Sequence, residues 1–365
     1  MSVDLSVLSV RQRTSEGGRQ IRWWWVWLLA PAALILWTYR TLDLRDVVGA
    51  VSGVGPLLLL ALAPFLLAML LDSLAWKGLL ANLGYRVGLG QLFPLRVSTE
   101  ALCAALPGGP FLADGLSPVL LRRRRDVPVS AGLASMTARK CLLCLAQAIY
   151  VGLGAVLGYS FLRRVSAQVI RAGGLPWLLA AISGLLFLLA AALLAAVFSG
   201  SVAGHLGRRL ARWPLGPVRG WWRRLGAPAR EIDGELARSL GAQRHQLLGP
   251  LALYLLVWMT EVGETLLILR LLGVPLGFPE ACAIEPAVRC LRYAAFFIPA
   301  GCGVQELGYL LFFRGAGLSD PLTTSAAFSL LKRTRELLCV AAGLVGLALL
   351  ERRVIRPVTA LEVGP

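Results

Sequence analysis

The sequence predicts an all-α polytopic membrane protein with six spanning helices and two re-entrant helical hairpins, arranged as an inverted repeat. Three observations predict it. The 365 residues are 57% hydrophobic and only 16% charged, with mean hydropathy +0.70; soluble domains carry about 25% charged residues. Apolar runs near the ~20 residues that cross a bilayer recur along the whole length. Two segments inside such runs break in the same way: PGGPFLAD, Pro107 to Asp114, and PAGCGVQE, Pro299 to Glu306. Each is a proline, a glycine-rich step, and an acid seven residues after the proline. The apolar runs are continuous rather than alternating, which argues against a β-barrel.

Residues 1–22 read as a polar cytoplasmic tail ending on Arg19 and Arg22, with Trp23, Trp24 and Trp25 as an interfacial anchor. No short apolar core with a small-residue cleavage site follows, so the segment is not a cleavable signal. The first repeat is residues 23–160. It holds span one (Trp23 to Tyr39), span two (Gly55 to Leu83) with Asp72, and an amphipathic connector (Gly84 to Leu95). The first broken element (Arg96 to Leu121), the arginines 122 to 125, and span three (Val129 to Tyr159) complete it. The second repeat is residues 161–350. Span four is Leu175 to Phe198, a basic cytoplasmic loop covers 200–246, and span five is Leu247 to Leu272. The second broken element (Glu280 to Phe313) and span six (Leu322 to Leu350) follow. Residues 351–365 form a second cytoplasmic tail. The repeat extends beyond the breaks: Asp72 lies twelve residues before Gly84, Glu261 twelve before Gly273, and Arg139–Lys140 aligns with Lys332–Arg333 after a one-residue shift.

Charge decides whether each break crosses or turns back. If both turn back, the chain crosses six times, and the clusters at Arg11 to Arg22, 122–125, 208–244 and 352–356 all face the cytoplasm. Arg163, Arg164 and Arg171 are the exception. If the first break crosses, four arginines lie outside, against the positive-inside tendency. Two hairpins and an odd number of crossings per half make the halves opposite in orientation.

The formal charge of +17 sits in the loops between spans. It is read as orientation plus attraction to anionic lipid, not as nucleic-acid binding. Trp213, Trp221 and Trp222 among the arginines of the 200–246 loop suit an anionic leaflet; an ordinary positive-inside loop accounts for them equally well. Of seven cysteines, Cys141 and Cys144 form a CxxC on an expected membrane helix without a second pair, which fits small packing residues. With two histidines, neither metal nor cofactor is expected. Gly154 and Gly158 form a GxxxG that permits close helix approach.

Backbone groups freed at Pro107, Gly108, Gly109 and at Pro299, Gly301, Gly303 cannot face lipid, so they must be satisfied by protein or line a wet cavity. They are the expected hairpin breaks, unless both are packed kinks. Each ionisable residue at membrane depth costs at least ~2.5 kcal/mol on insertion scales. Interior salt bridging is one reading of these residues. The other is a polar path for a head group, with Asp114, Arg139, Lys140, Glu264, Arg292, Glu306, Lys332, Arg333 and Arg335 as the expected substrate-binding residues. Guanidinium pairs bidentately with phosphate, and Asp114 and Glu306 would orient the hairpin tips or exchange protons.

At these residues the chain resembles the flippase-like transmembrane family, the membrane region of lysylphosphatidylglycerol synthase. Pro299, Gly301, Gly303, Val304, Glu306 and Arg333 carry the second-half pattern; Leu106, Pro107, Asp114 and Arg139 carry the first. The run SLLKRTRELL, preceded by FFIPAGCGVQE, is most similar to the branch associated with hopanoid biosynthesis. Ser117 stands where the family often has arginine, and Ala300 and Cys302 replace residues often glycine or apolar. The resemblance implies lipid translocation; no soluble aminoacyltransferase domain is expected after span six. Membrane lipids are the expected partners, with lipid-synthesis enzymes and a homodimer as further protein partners and the bacterial inner membrane as location. A lipid-modifying enzyme using Asp114, Glu306 or Glu264, and a non-transporting partner of a lipid-synthesis complex, are the alternatives.

Overall fold

The computed structural model describes residues 44–53, 62–105, 115–122, 127–169, 173–198, 244–295 and 301–354, with a few single positions between them. Expected span one, Pro107, Gly108, Gly109, Asp114, Pro299 and nearly all of the 200–246 loop lie outside the described residues. Within them the secondary structure is helices joined by short turns, without a strand, and four helices are long and apolar enough to cross a bilayer.

The helices, in order, are α1 (Leu44–Ser52), α2 (Leu62–Asn82), α3 (Leu89–Ala105), α4 (residues 115–122), α5 (Val129–Leu157), α6 (Tyr159–Val169) and α7 (Leu175–Phe198). Then come α8 (Leu248–Leu271), α9 (Phe278–Ala294), α10 (Val304–Gly315) and α11 (Pro321–Val354). The four spanning candidates are α2, α5, α7 and α8. α7 shows why sequence and environment agree. Its 24 residues carry no charge, and Trp177, Leu178, Leu185, Phe187, Leu188 and Leu189 are exposed. A helix apolar all round finds a partner for that surface in lipid. The connector expected over Gly84 to Leu95 is helical from Leu89, so α3 starts earlier than the sequence pattern indicates. The short helices α1 and α6 have no counterpart among the expected elements.

The two halves are built alike. α2 and α8 end in the same turn: Gly84 and Gly273 adopt φ of 86° and 67°. The amides of Tyr85 and Val274 donate to the carbonyls of Leu80 and Leu269, each at 2.9 Å. This 6→1 bond closes a helix on a left-handed residue, a conformation that favours glycine. Five residues after each glycine begins a 17-residue helix, α3 in one half and α9 in the other.

Between the halves the packing is reciprocal. α2 packs along α8, α5 against α9, and α11 against α3. α2 and α8 run antiparallel: Gly78, near the end of α2, faces Pro250, near the start of α8. At the other end Arg335, the partner of Glu264 on α8, lies over the Phe65 ring of α2. Glycines make both reciprocal crossings close. A Cβ on Gly154 would collide with the Cys282 carbonyl, and one on Gly343 would collide with the Ala101 Cβ. The GxxxG of α5 is thus a packing face against α9. Cys141 is buried, and the Cys144 thiol donates to the Leu186 carbonyl of α7.

Candidate functional site

The polar interior follows from helical periodicity. Glu261 and Glu264 lie three apart on α8; Glu285, Arg289 and Arg292 follow one face of α9; Lys332, Arg335 and Glu336 share a face of α11. Their apolar neighbours pack the core, and the charged side chains meet one another inside it.

In the first half the centre is Asp72. Its Oδ1 accepts from Arg139 Nε at 2.8 Å, and Oδ2 accepts from Arg139 Nη2 at 2.5 Å. Arg96 donates to Oδ2 from Nη2 at 2.8 Å and from Nε at 3.1 Å. Arg96 also reaches Thr99 and Glu100. All three charged side chains of the core are at most 5% exposed. Arg139 therefore spends its fork on Asp72, and interior salt bridging describes it. Lys140, the next residue of α5, is exposed. Arg96 is not among the residues the sequence singles out. The register that could have found it is the mirror one: Arg96 lies twelve residues after Gly84, as Glu285 lies twelve after Gly273.

In the second half Glu285 accepts from Lys332 Nζ at 2.8 Å, Thr265 Oγ1 at 2.7 Å and Tyr309 OH at 3.1 Å. The Lys332 ammonium stands over the Tyr309 and Phe328 rings, a cation–π setting in a dry site. Glu261 pairs with Arg289, whose guanidinium covers Trp258. Lys332 and Glu285 are nearly inaccessible.

The remaining charges gather at the second hairpin turn. α9 and α10 pack against each other across Gly301, Cys302 and Gly303, with Gly301 and Gly303 at φ of 61° and 82°. Glu306 closes this turn. Its Oε2 accepts the Gly303 amide at 2.7 Å and its Oε1 accepts from Arg333 Nε at 2.9 Å. A glutamate at the third helical position holding the N-cap amide is a reach-back cap. Arg333 Nη1 donates to Glu336 at 2.8 Å; Arg292 and Arg335 approach the other Glu336 oxygen at 3.6 and 3.9 Å. Arg335 also pairs with Glu264 at 3.0 Å.

This last group is partly accessible, as is the Glu261–Arg289 pair at 22% and 21%. Side-chain exposure is 25% for Arg292, 23% for Glu336 and 19% for Arg333, against 3% for Lys332. One residue before Glu306, the Gln305 amide is fully buried, and neither of its polar atoms has a protein partner. The Ser329 hydroxyl, on α11, is likewise buried and unpartnered. Each unpaired buried group costs about 1–3 kcal/mol. Of the expected binding residues, then, the structure brings Arg292, Glu306, Arg333 and Arg335 to one turn, with Glu264 behind Arg335. It places Arg139 and Lys332 in separate buried pairs. Among the described residues no cluster of three or more His, Cys, Asp and Glu could hold a metal ion.

A duplicated, all-helical membrane protein with a charged interior and a glycine-turn hairpin is the class these features define. The chain belongs to the lysylphosphatidylglycerol synthase TM region family, which it matches over residues 23–347. No curated protein and no solved structure matches it.

Proposed function

We propose that the protein is a lipid translocator of the bacterial inner membrane, moving a lipid with a polar or anionic head group between leaflets through a cavity between its halves. In this reading six helices span the bilayer with both termini cytoplasmic. The two glycine-broken hairpins are re-entrant and enter from opposite faces as an inverted repeat. The observation that carries it is the second hairpin turn. There Arg292, Arg333 and Glu336 are reachable from outside the protein core and Gln305 is unpartnered, whereas Asp72, Arg96, Arg139, Glu285 and Lys332 are buried in tight pairs.

The chemistry required is modest. The head group leaves water for the turn, where guanidinium groups take its phosphate oxygens bidentately. Glu306 holds the turn and the direction of Arg333 together, because one carboxylate serves both. The acyl chains stay in the bilayer, which the exposed leucines of the outer helices already face. The head group then crosses as the halves rearrange about the α2–α8 crossing. Family membership supports a role in lipid chemistry. The likeness of SLLKRTRELL to the hopanoid-associated branch supports a lipid of the envelope, and lipid-synthesis enzymes as neighbours.

Reconstitution of the whole chain into liposomes with acyl-labelled phospholipids tests this. Leaflet exchange above that of empty vesicles is expected for at least one lipid class. Arg333→Ala and Glu306→Ala should lower flux at least tenfold while the protein stays inserted and monodisperse. Exchange no faster than in empty vesicles across several lipid classes would refute the reading.

A further inference from the structure

The charges at the hairpin turn form one connected network: Glu306–Arg333–Glu336, with Arg292 and Arg335 joined to Glu336 and Glu264 joined to Arg335. Three acids (Glu264, Glu306, Glu336) face three bases (Arg292, Arg333, Arg335), so the network sums to zero. It is not the cation-rich chamber that a bare phosphate would select. A monoanion placed there leaves one uncompensated negative charge at membrane depth, where unpaired charge is strongly disfavoured.

Resting on the lipid-moving reading, we infer that the head group taken at this turn is zwitterionic: a phosphate and an ammonium on one lipid, of zero net charge. The pair that yields is Arg292–Glu336. It is the loosest of those that hold Arg292 and Arg333, at 3.6 Å, and both partners are about a quarter exposed. A phosphate–ammonium unit entering there meets Arg292 with its phosphate and Glu336 with its ammonium. One ion pair becomes two, and the total charge stays zero. Arg333 remains bonded to Glu306, so the turn keeps its shape during the exchange. Gln305 supplies a second sign of a ligand at this helix start, since its buried amide offers both a donor and an acceptor without a protein partner. An anionic lipid repeats only half of this chemistry, because its phosphate must displace Glu336 without giving that carboxylate a new cation.

The test compares acyl-labelled phosphatidylethanolamine with acyl-labelled phosphatidylglycerol on the full chain. Leaflet exchange in liposomes and retention of each lipid by native mass spectrometry are the two readouts. The wild type should favour phosphatidylethanolamine by about tenfold or more in both. Glu336→Gln, which leaves the network at +1, should shift the preference toward phosphatidylglycerol; Glu336→Asp, which keeps the charge, should keep the original order. Equal or faster exchange of phosphatidylglycerol by the wild type overturns the charge inference and leaves lipid movement standing. Failure to move or retain either lipid overturns both. Should Glu336→Gln not fold, the wild-type preference and Glu336→Asp still decide.

Discussion

Replacing Asp72 by asparagine isolates what the first charge network does. Asp72 is the shared acceptor of Arg96 and Arg139, through four hydrogen bonds of 2.5 to 3.1 Å. The three side chains are 3–5% exposed. The substituted side chain is nearly the same size as the original, so packing changes little. Two guanidinium charges would be left facing one another; among the described residues the remaining acid in reach is Glu100, 39% exposed and 3.3 Å from Arg96. Removing one partner of a buried pair costs about 3–5 kcal/mol. That corresponds to roughly two to nearly four powers of ten in the folding equilibrium. Thermal unfolding of the detergent-purified protein, followed by size-exclusion monodispersity, reads this directly. Asp72→Asn should be strongly destabilised. Asp72→Asn with Arg139→Gln, which removes one positive charge along with the negative one, should recover more than half of the loss. A single variant as stable as wild type, or a double variant no better than the single, would show that the Asp72 carboxylate does not hold the two arginines in place.

Gly154→Leu should destabilise by about 1–3 kcal/mol through overpacking, because the new Cβ meets the Cys282 carbonyl and Pro286. Gly343→Leu should cost a similar amount at the reciprocal crossing. Gly249→Leu, with nothing within 4 Å of its Cβ, serves as the control in the same melting series. In single-cysteine variants, Cys302 at the partly exposed turn should react with a small water-soluble thiol reagent at least tenfold faster than buried Cys141 or Cys282; equal rates would place the turn out of reach of water. Lys332→Met should cost about 3–5 kcal/mol in the melt by stranding Glu285, whereas Lys332→Met with Glu285→Gln should restore most of it.

Much of this architecture is written in local patterns. Continuous hydropathy places α7 at its observed bounds, because no charge interrupts that run, and the apolar run that starts α5 at Val129 is long enough to carry Arg139 and Lys140 within it. Glycine and acid three apart mark the start of α10, since a positive φ at Gly303 and a helix cap from Glu306 demand those residue types. The ion pairing is not legible in this way. Arg139 and Asp72 are 67 positions apart, and no spacing rule links residues that only helix packing brings together. Both read as charges at membrane depth; only their partners separate a buried lock from an accessible site. Arg96 escapes notice because it sits beside an apparent connector whose Arg86 and Gln91 dilute the apolar signal of α3. α1 and α6 are short and amphipathic, too polar to register as spans.

The ion pairs of Asp72 and Arg96 join residues of the first half, and those of Glu264, Glu285, Glu306 and Glu336 join residues of the second. Across the seam lie glycines against backbone, apolar side chains, the Arg335–Phe65 contact and the Trp258 bond to the Leu143 carbonyl. Each half therefore behaves as an electrically finished block. A seesaw of one block on the other would sever none of these salt bridges. Such a tilt would be spared the several kcal/mol that parting a buried pair demands.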